Sequence, residues 1–256
     1  KVEDLAGDIG FKVSGRGELH LSILIETLRR EGYEFQVSRP QVIIKEENGV
    51  KEEPYEELTI EVDESSQGKV IEALGFRKGE LLNMEQDQGL VKLTYKIPTR
   101  GLLGFRSEFM TATKGMGVMN YIFDGYGPYV GPLKTRKNGV LVSKETAPTI
   151  AFSLFNLQER GKLFLGPGEN VYEGQIIGEN AREDDMVVNP AKGKKLTNVR
   201  ASGSDDSIKL TPPTLLSLEQ CLSFITDTEL IECTPKAIRM RKKILSESER
   251  KRSKEL

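Results

Sequence analysis

The chain has 256 residues, 37% apolar and 30% charged, which fits two or three globular domains. No run approaches the roughly 20 apolar residues of a membrane helix, and the opening KVEDLAGDIG lacks the basic and apolar regions of a secretory signal. Net charge is only −2 but is uneven. Residues 45–64 carry nine acidic and two basic side chains, and residues 236–256 nine basic and three acidic. Such asymmetry marks a basic surface for a polyanion and an acidic surface facing elsewhere, or else two solvated faces.

Along the chain, residues 11–13 (FKV) read as a strand entering the glycine-rich turn SGRG. Leu21, Leu24, Ile25 and Leu28 then share one face of a helix over 18–30, which Gly32 stops. YEFQV and QVIIKE follow as strands broken at Pro40. This strand–helix–strand unit, 1–48, is half a domain or leans on a neighbour. The polar stretch NGVKEEPYEE with Pro54 reads as a boundary. A strand at 57–62, a helix carrying Val70, Ile71 and Leu74, strands on either side of an Asp87–Gly89 turn, a helix over 102–113 and a strand at 117–126 give β-α-β-β-α-β across 49–130, the ferredoxin-like split pattern. GYGPYVGP (125–132) reads as a linker. The last region, 131–256, mixes short strands (GVLVS, VYEGQIIGE, SIKL), an apolar segment TIAFSLFNLQ, a helix over 217–225, a strand pair (ELIECTP, AIRMRKK) and a charged terminal helix or tail. The fold class is α+β and multidomain.

Catalytic chemistry finds little support. A phosphate loop needs Gly-Lys followed by Ser or Thr; Gly68-Lys69, Gly161-Lys162 and Gly193-Lys194 are followed by Val, Leu and Lys. The single histidine, His20, sits in a helical segment, and Cys221 and Cys233 fall far apart on this reading, so neither a metal nor a disulfide framework is expected. Cytoplasm is the expected compartment. The segment KGKKLTNVRASG (192–203) stands out. Lys192, Lys194, Lys195 and Arg200 suit phosphate contacts, and Thr197 and Asn198 suit the loop tip or a sugar hydroxyl. With no aromatic residue it is not a stacking surface. Arg239, Arg241, Lys242 and Lys243 form a second basic cluster, with RKRSK (250–254) beyond. A flexible basic loop and a solvated face are the bland alternatives.

SGRGELHLSILIETLRREGYEFQVSRPQV (14–42) resembles the second half of domain III of the elongation factor G family, a region shared with LepA and TypA/BipA. The β-α-β-β-α-β unit resembles domain V of those factors, with RGLLGFRSEF (100–109) its most recognisable part. QERGKLFLGPGENVYEGQIIGENAREDD (158–185) and KGKKLTNVRASG resemble the carboxy-terminal domain particular to TypA/BipA. The resemblance implies a translational GTPase whose GTP- and Mg-binding domain lies outside these residues, so this portion holds no cofactor. It implies ribosome binding, with the 192–203 loop on rRNA and the acceptor end of an A-site tRNA, contacts to ribosomal proteins, action as a monomer away from membranes, and roles in ribosome assembly at low temperature and in stress adaptation. The competing reading is a protein–protein module whose acidic 45–64 stretch binds a ribosomal protein.

Overall fold

In a computed structural model, residues 1–5, 10–133, 136–193 and 209–254 are described. They form two compact units, one of residues 40–135 and one combining 1–39 with 136–256.

In chain order, β1 (Val2–Asp4) and β2 (Phe11–Val13) make an antiparallel ribbon, followed by α1 (Glu18–Arg30) and β3 (Phe35–Ser38). α1 has the expected span but a rotated buried face. Ser22 and Ile25 point inward, while Leu24 is exposed. The partner decides this, because Glu18 and Arg29, on the Ser22–Ile25 side, bond Ser223 Oγ (3.1 Å) and the Thr234 carbonyl (2.9 Å).

Residues 40–135 hold β4 (Lys45–Glu47), β5 (Val50–Asp63), α2 (Glu64–Phe76), β6 (Glu80–Asp87), β7 (Leu90–Pro98), α3 (Thr99–Leu102), α4 (Phe105–Ala112) and β8 (Val118–Pro128). β5 is central, with β8 on one side and β7 then β6 on the other, the strand order of a ferredoxin-like sheet. Leu58, Ile60, Val62, Leu93, Tyr95 and Ile97 alternate inward and pack on Val70, Leu74, Phe105 and Phe109. The two-residue β6–β7 loop has positive φ at Gln88 (46°) and Gly89 (84°), the backbone that a tight hairpin needs.

Three expectations change here. The helix expected over 102–113 is split, because Gly104 takes φ +72° between α3 and α4. Pro54 does not mark a boundary: it lies inside β5, in the gap between the β4 ladder, ending at Glu52, and the β7 ladder, starting at Tyr55. A proline without an N–H is tolerated where no ladder bond is required of it. The GYGPYVGP stretch is no free linker either. Tyr126–Pro128 continue β8, and the chain beyond is held by Glu53 and Arg100. Glu53, fully buried, accepts from Val130 N (2.9 Å), and Arg100 bonds both Glu53 and the Gly131 carbonyl.

The RGLLGFRSEF segment is therefore an architectural knot. Arg77 donates to the Gly101 (2.7 Å) and Leu103 (3.1 Å) carbonyls and pairs with Glu108 (2.8 Å). A Cβ at Gly101 would stand 2.8 Å from the Arg77 carbonyl oxygen.

The remaining elements are β9 (Val140–Ser143), β10 (Ala147–Pro148), α5 (Ala151–Leu157), β11 (Gly161–Leu163), β12 (Asn170–Val171), β13 (Gln175–Asn180), β14 (Met186–Val188), α6 (Leu218–Phe224), β15 (Glu229–Cys233), β16 (Ile238–Lys242) and α7 (Glu247–Lys254). The sheet runs β14-β9-β13-β16-β15-β3, with β11 also on β13. β3 thus completes the sheet of the carboxy-terminal region, pairing Phe35–Ser38 with Cys233–Leu230. The amino-terminal half-unit leans on a segment distant in sequence, and residues 1–39 share one compact unit with 136–256. One sheet face packs on α6 through Val142, Ile176, Leu222 and Ile231, and the other on α5 through Leu141, Leu154 and Ile177. Ser217 and Gln220 close a reciprocal capping box at the start of α6.

Candidate nucleic-acid interface

Lys194, Lys195, Thr197, Asn198 and Arg200 lie outside the described residues; Lys192 is described and exposed. The structure does define the residues on either side of this segment. On the incoming side Asn189 is fixed three ways. Its carbonyl accepts from Ser153 Oγ (2.6 Å), its amide donates to Glu145 (2.7 Å), and its Oδ1 accepts from Ala191 N (2.9 Å). The Pro190 carbonyl accepts from Ile150 N (3.0 Å). On the returning side, the Gln158 side chain grips the backbone from both ends, donating to the Lys209 carbonyl (3.3 Å) and accepting from Thr211 N (3.0 Å). Leu210 packs against the α5 core cluster. Both feet therefore end on one helix, with Ile150 and Ser153 at its start and Gln158 at its end.

The second basic cluster divides by the two-residue period of β16. Arg239 is half-buried and Lys243 exposed. Arg241 pairs with Glu232 (2.8 Å) and donates to Gln36 (2.7 Å). Lys242 is a correction to the sequence reading. It shares the inward face with Met240, is 4% exposed, and its Nζ lies 2.6 Å from both Glu229 and Asp185. It cannot reach a phosphate without breaking those pairs. The clue was in the sequence: the β15–β16 register sets Glu229 opposite Lys242 and Glu232 opposite Arg239.

Glu229 is fully buried and accepts two bonds from Arg136 (3.0 and 3.1 Å), one from Lys242 and one from Thr226 N (2.8 Å). Burial alone would raise its pKa. The Arg136 guanidinium and the Lys242 ammonium outweigh burial and hold it below the usual carboxylate range. Arg136 also stacks over Phe224, 4.6 Å from the ring centre.

Cys221 and Cys233 are not far apart in the fold. Both are buried in one core cluster as free thiols. Burial pushes Cys221 up to about 12 and Cys233 up to about 11, so both are held as unreactive thiols. His20 accepts a bond from Arg16 N (3.4 Å) at the exposed start of α1. Among the described residues no group of three or more His, Cys, Asp or Glu is placed to hold a metal. Of the Gly-Lys pairs, Gly68-Lys69 lies within α2 and Gly161-Lys162 within β11, and Lys194 of the third lies outside the described residues. A Cβ at Gly161 would fall 1.9 Å from the Glu179 carbonyl oxygen, so that glycine serves close strand approach. The acidic 45–64 stretch is also thinned, because Glu53 and Glu56 are buried. Burial holds the Glu56 carboxyl above its ordinary range.

Comparison with known proteins places the chain. Residues 138–247 match the model of the TypA/BipA C-terminal domain, and residues 50–137 that of the elongation factor G C-terminus. A protein of Salmonella typhimurium strain LT2 named "Large ribosomal subunit assembly factor BipA" is 55% identical over 99% of this chain and 42% of its own length. Proteins of the same name are 54% identical in Escherichia coli K12, over 99% of this chain and 42% of the relative, and in Haemophilus influenzae, over 99% and 41%. No helix among the described residues is long and apolar enough to cross a membrane. The chain spans about two fifths of the length of these relatives, and with both domain models and nearly its whole length matched, it belongs to the TypA/BipA family.

Proposed function

We infer that this chain is the ribosome-docking portion of a large-subunit assembly factor and contributes binding, not bond chemistry. The observation that carries this is the 55% identity, along 99% of the chain, to a protein named as such a factor. The basic segment supports it: Lys192, Lys194, Lys195 and Arg200 would neutralise RNA phosphates, while Thr197 and Asn198 would meet the sugar edge of an A-site tRNA or rRNA. Its feet are clamped on α5, so contacts at the tip would be transmitted to a folded domain. Arg239 and Lys243 supply a second, weaker contact. GTP hydrolysis, with its Mg ion, would belong to the rest of the parent factor, which would work in the cytoplasm as a ribosome-associated monomer.

The test uses the full-length parent with Lys194, Lys195 and Arg200 all replaced by Ala, and measures ribosome co-sedimentation across a salt series. Each lost phosphate contact removes about 0.7–0.9 from the slope of log affinity against log salt, so the expected loss is roughly 2–3. An unchanged slope would remove the segment from the interface.

A further inference from the structure

The two edges of the ferredoxin-like sheet are built differently. β6, at one edge, carries Glu80, Glu85 and Asp87, and its register shifts between Leu81 and Asn83. Charges and irregularities of this kind keep an edge strand from recruiting another strand. β8, at the other edge, carries none of them from Val118 to Phe123. The sequence there is VMNYIF, its pairing to β5 is regular, and the register shift comes only beyond Phe123. Among the described residues β8 pairs with β5 alone, so its outer row of backbone N–H and C=O groups has no strand partner. Both of its faces carry exposed apolar side chains: Tyr121 and Phe123 (54% and 57% exposed) on one, and Val118 and Ile122 (51% and 74%), with exposed Asn120 between them, on the other. Large apolar side chains on both faces are more usual of a strand inside a sheet than of one at its edge.

The surroundings select the occupant. Ile122 stands opposite Glu57 and Val118 opposite Glu61, both exposed on β5, with Lys96 and Lys92 beyond them on β7. The carboxylates nearest the edge favour a basic segment over a nucleic-acid strand. We propose that β8 is a strand-addition site for an extended, basic segment of a partner protein. Alternate Lys or Arg side chains would reach over Ile122 and Val118 towards Glu57 and Glu61, with apolar residues between them packing on Tyr121 and Phe123. Main-chain bonds to the edge supply affinity, and the alternation supplies selectivity. The site stands independently of the basic segment at 192–203.

The experiment titrates the 256-residue chain with a short, capped, alternating Lys–Val peptide and follows amide exchange and binding. The expected result is slowed exchange over 118–123 and affinity that falls with salt. Ile122→Lys, which charges the edge, and the double change Glu57→Gln/Glu61→Gln, which leaves the edge intact, should each weaken binding at least tenfold with unchanged melting. An alternating Glu–Val peptide should not bind. Equal binding of the Glu–Val peptide, protection of β8 by a single-stranded oligonucleotide, or dimerisation of the chain through β8 in sedimentation would each overturn the proposal, as would undiminished binding by the glutamine variant.

Discussion

Lys242 and Lys243 are neighbours of identical charge with opposite duties. Lys243 is exposed, and its replacement by Ala is expected to lower ribosome affinity and its salt slope while leaving the melting temperature unchanged. Lys242→Ala removes one arm of a buried carboxylate's support, a change that costs about 3–5 kcal/mol when a buried pair is broken. Differential scanning calorimetry on the two variants separates these roles; equal melting would refute the assignment. Glu229 adds a pH signature. Its folded pKa lies below its ordinary value of 4.5, so its contribution to stability is complete above that value and fades as pH falls through the lower, folded one. Melting followed from pH 7 towards pH 3 should show this acid loss, and Glu229→Gln, less stable at neutral pH, should flatten it. A basic cluster read from sequence treats RMRKK as one surface, because composition is blind to which face a strand buries. The pairing register shows what composition hides.

At the level of elements, most of the architecture was legible. The helix over 18–30, the β-α-β-β-α-β order and the Asp87–Gly89 hairpin were read from period and turn chemistry, which are local. What was missed depended on partners distant in sequence. α1 turns its Ser22–Ile25 face inward because α6 and the Thr234 carbonyl wait there. Pro54 is housed in a strand because the ladders on either side leave a gap. The base of the basic segment is a comparable case: the amide grip of Gln158 on Lys209 and Thr211 spans 51 and 53 residues and leaves no local signature. Gln158→Ala is expected to speed hydrogen exchange at 209–211 while changing global stability by less than about 1.5 kcal/mol, the net worth of an ordinary hydrogen bond. Unaltered exchange at those amides would show that the clamp does not hold the segment.

For the molecule as a whole, the division into 40–135 and 1–39 with 136–256 has a direct test. The core of the first unit, from Leu58 to Phe109, lies wholly within its own sequence. Residues 40–135 expressed alone should unfold cooperatively, whereas 136–256 without the first 39 residues should melt lower than the intact unit, having lost β3 from its sheet and α1 from α6. Circular dichroism melts of both pieces would check this, and a 136–256 piece as stable as the intact unit would deny the amino terminus its part. The candidate interface rests on chemistry read from the sequence, lysines, an arginine and hydroxyl residues in one polar stretch that suit phosphate contact. Its attachment was not legible, because attachment is a matter of tertiary hydrogen bonds.

The bond from Arg29 to Thr234 joins residues 205 positions apart, with a complete folding unit between them. A ribosome making this chain releases the helix long before it makes the strand that will receive it. The inserted unit can finish folding while Leu19, Ile23 and Phe11, each more than half exposed even in the finished fold, wait beside it with Ile25 still uncovered. The newborn chain therefore passes through a stage with the inserted unit folded and an amphipathic helix unhoused. Synthesis speed and chaperone capture over the last stretch of translation thus become determinants of yield.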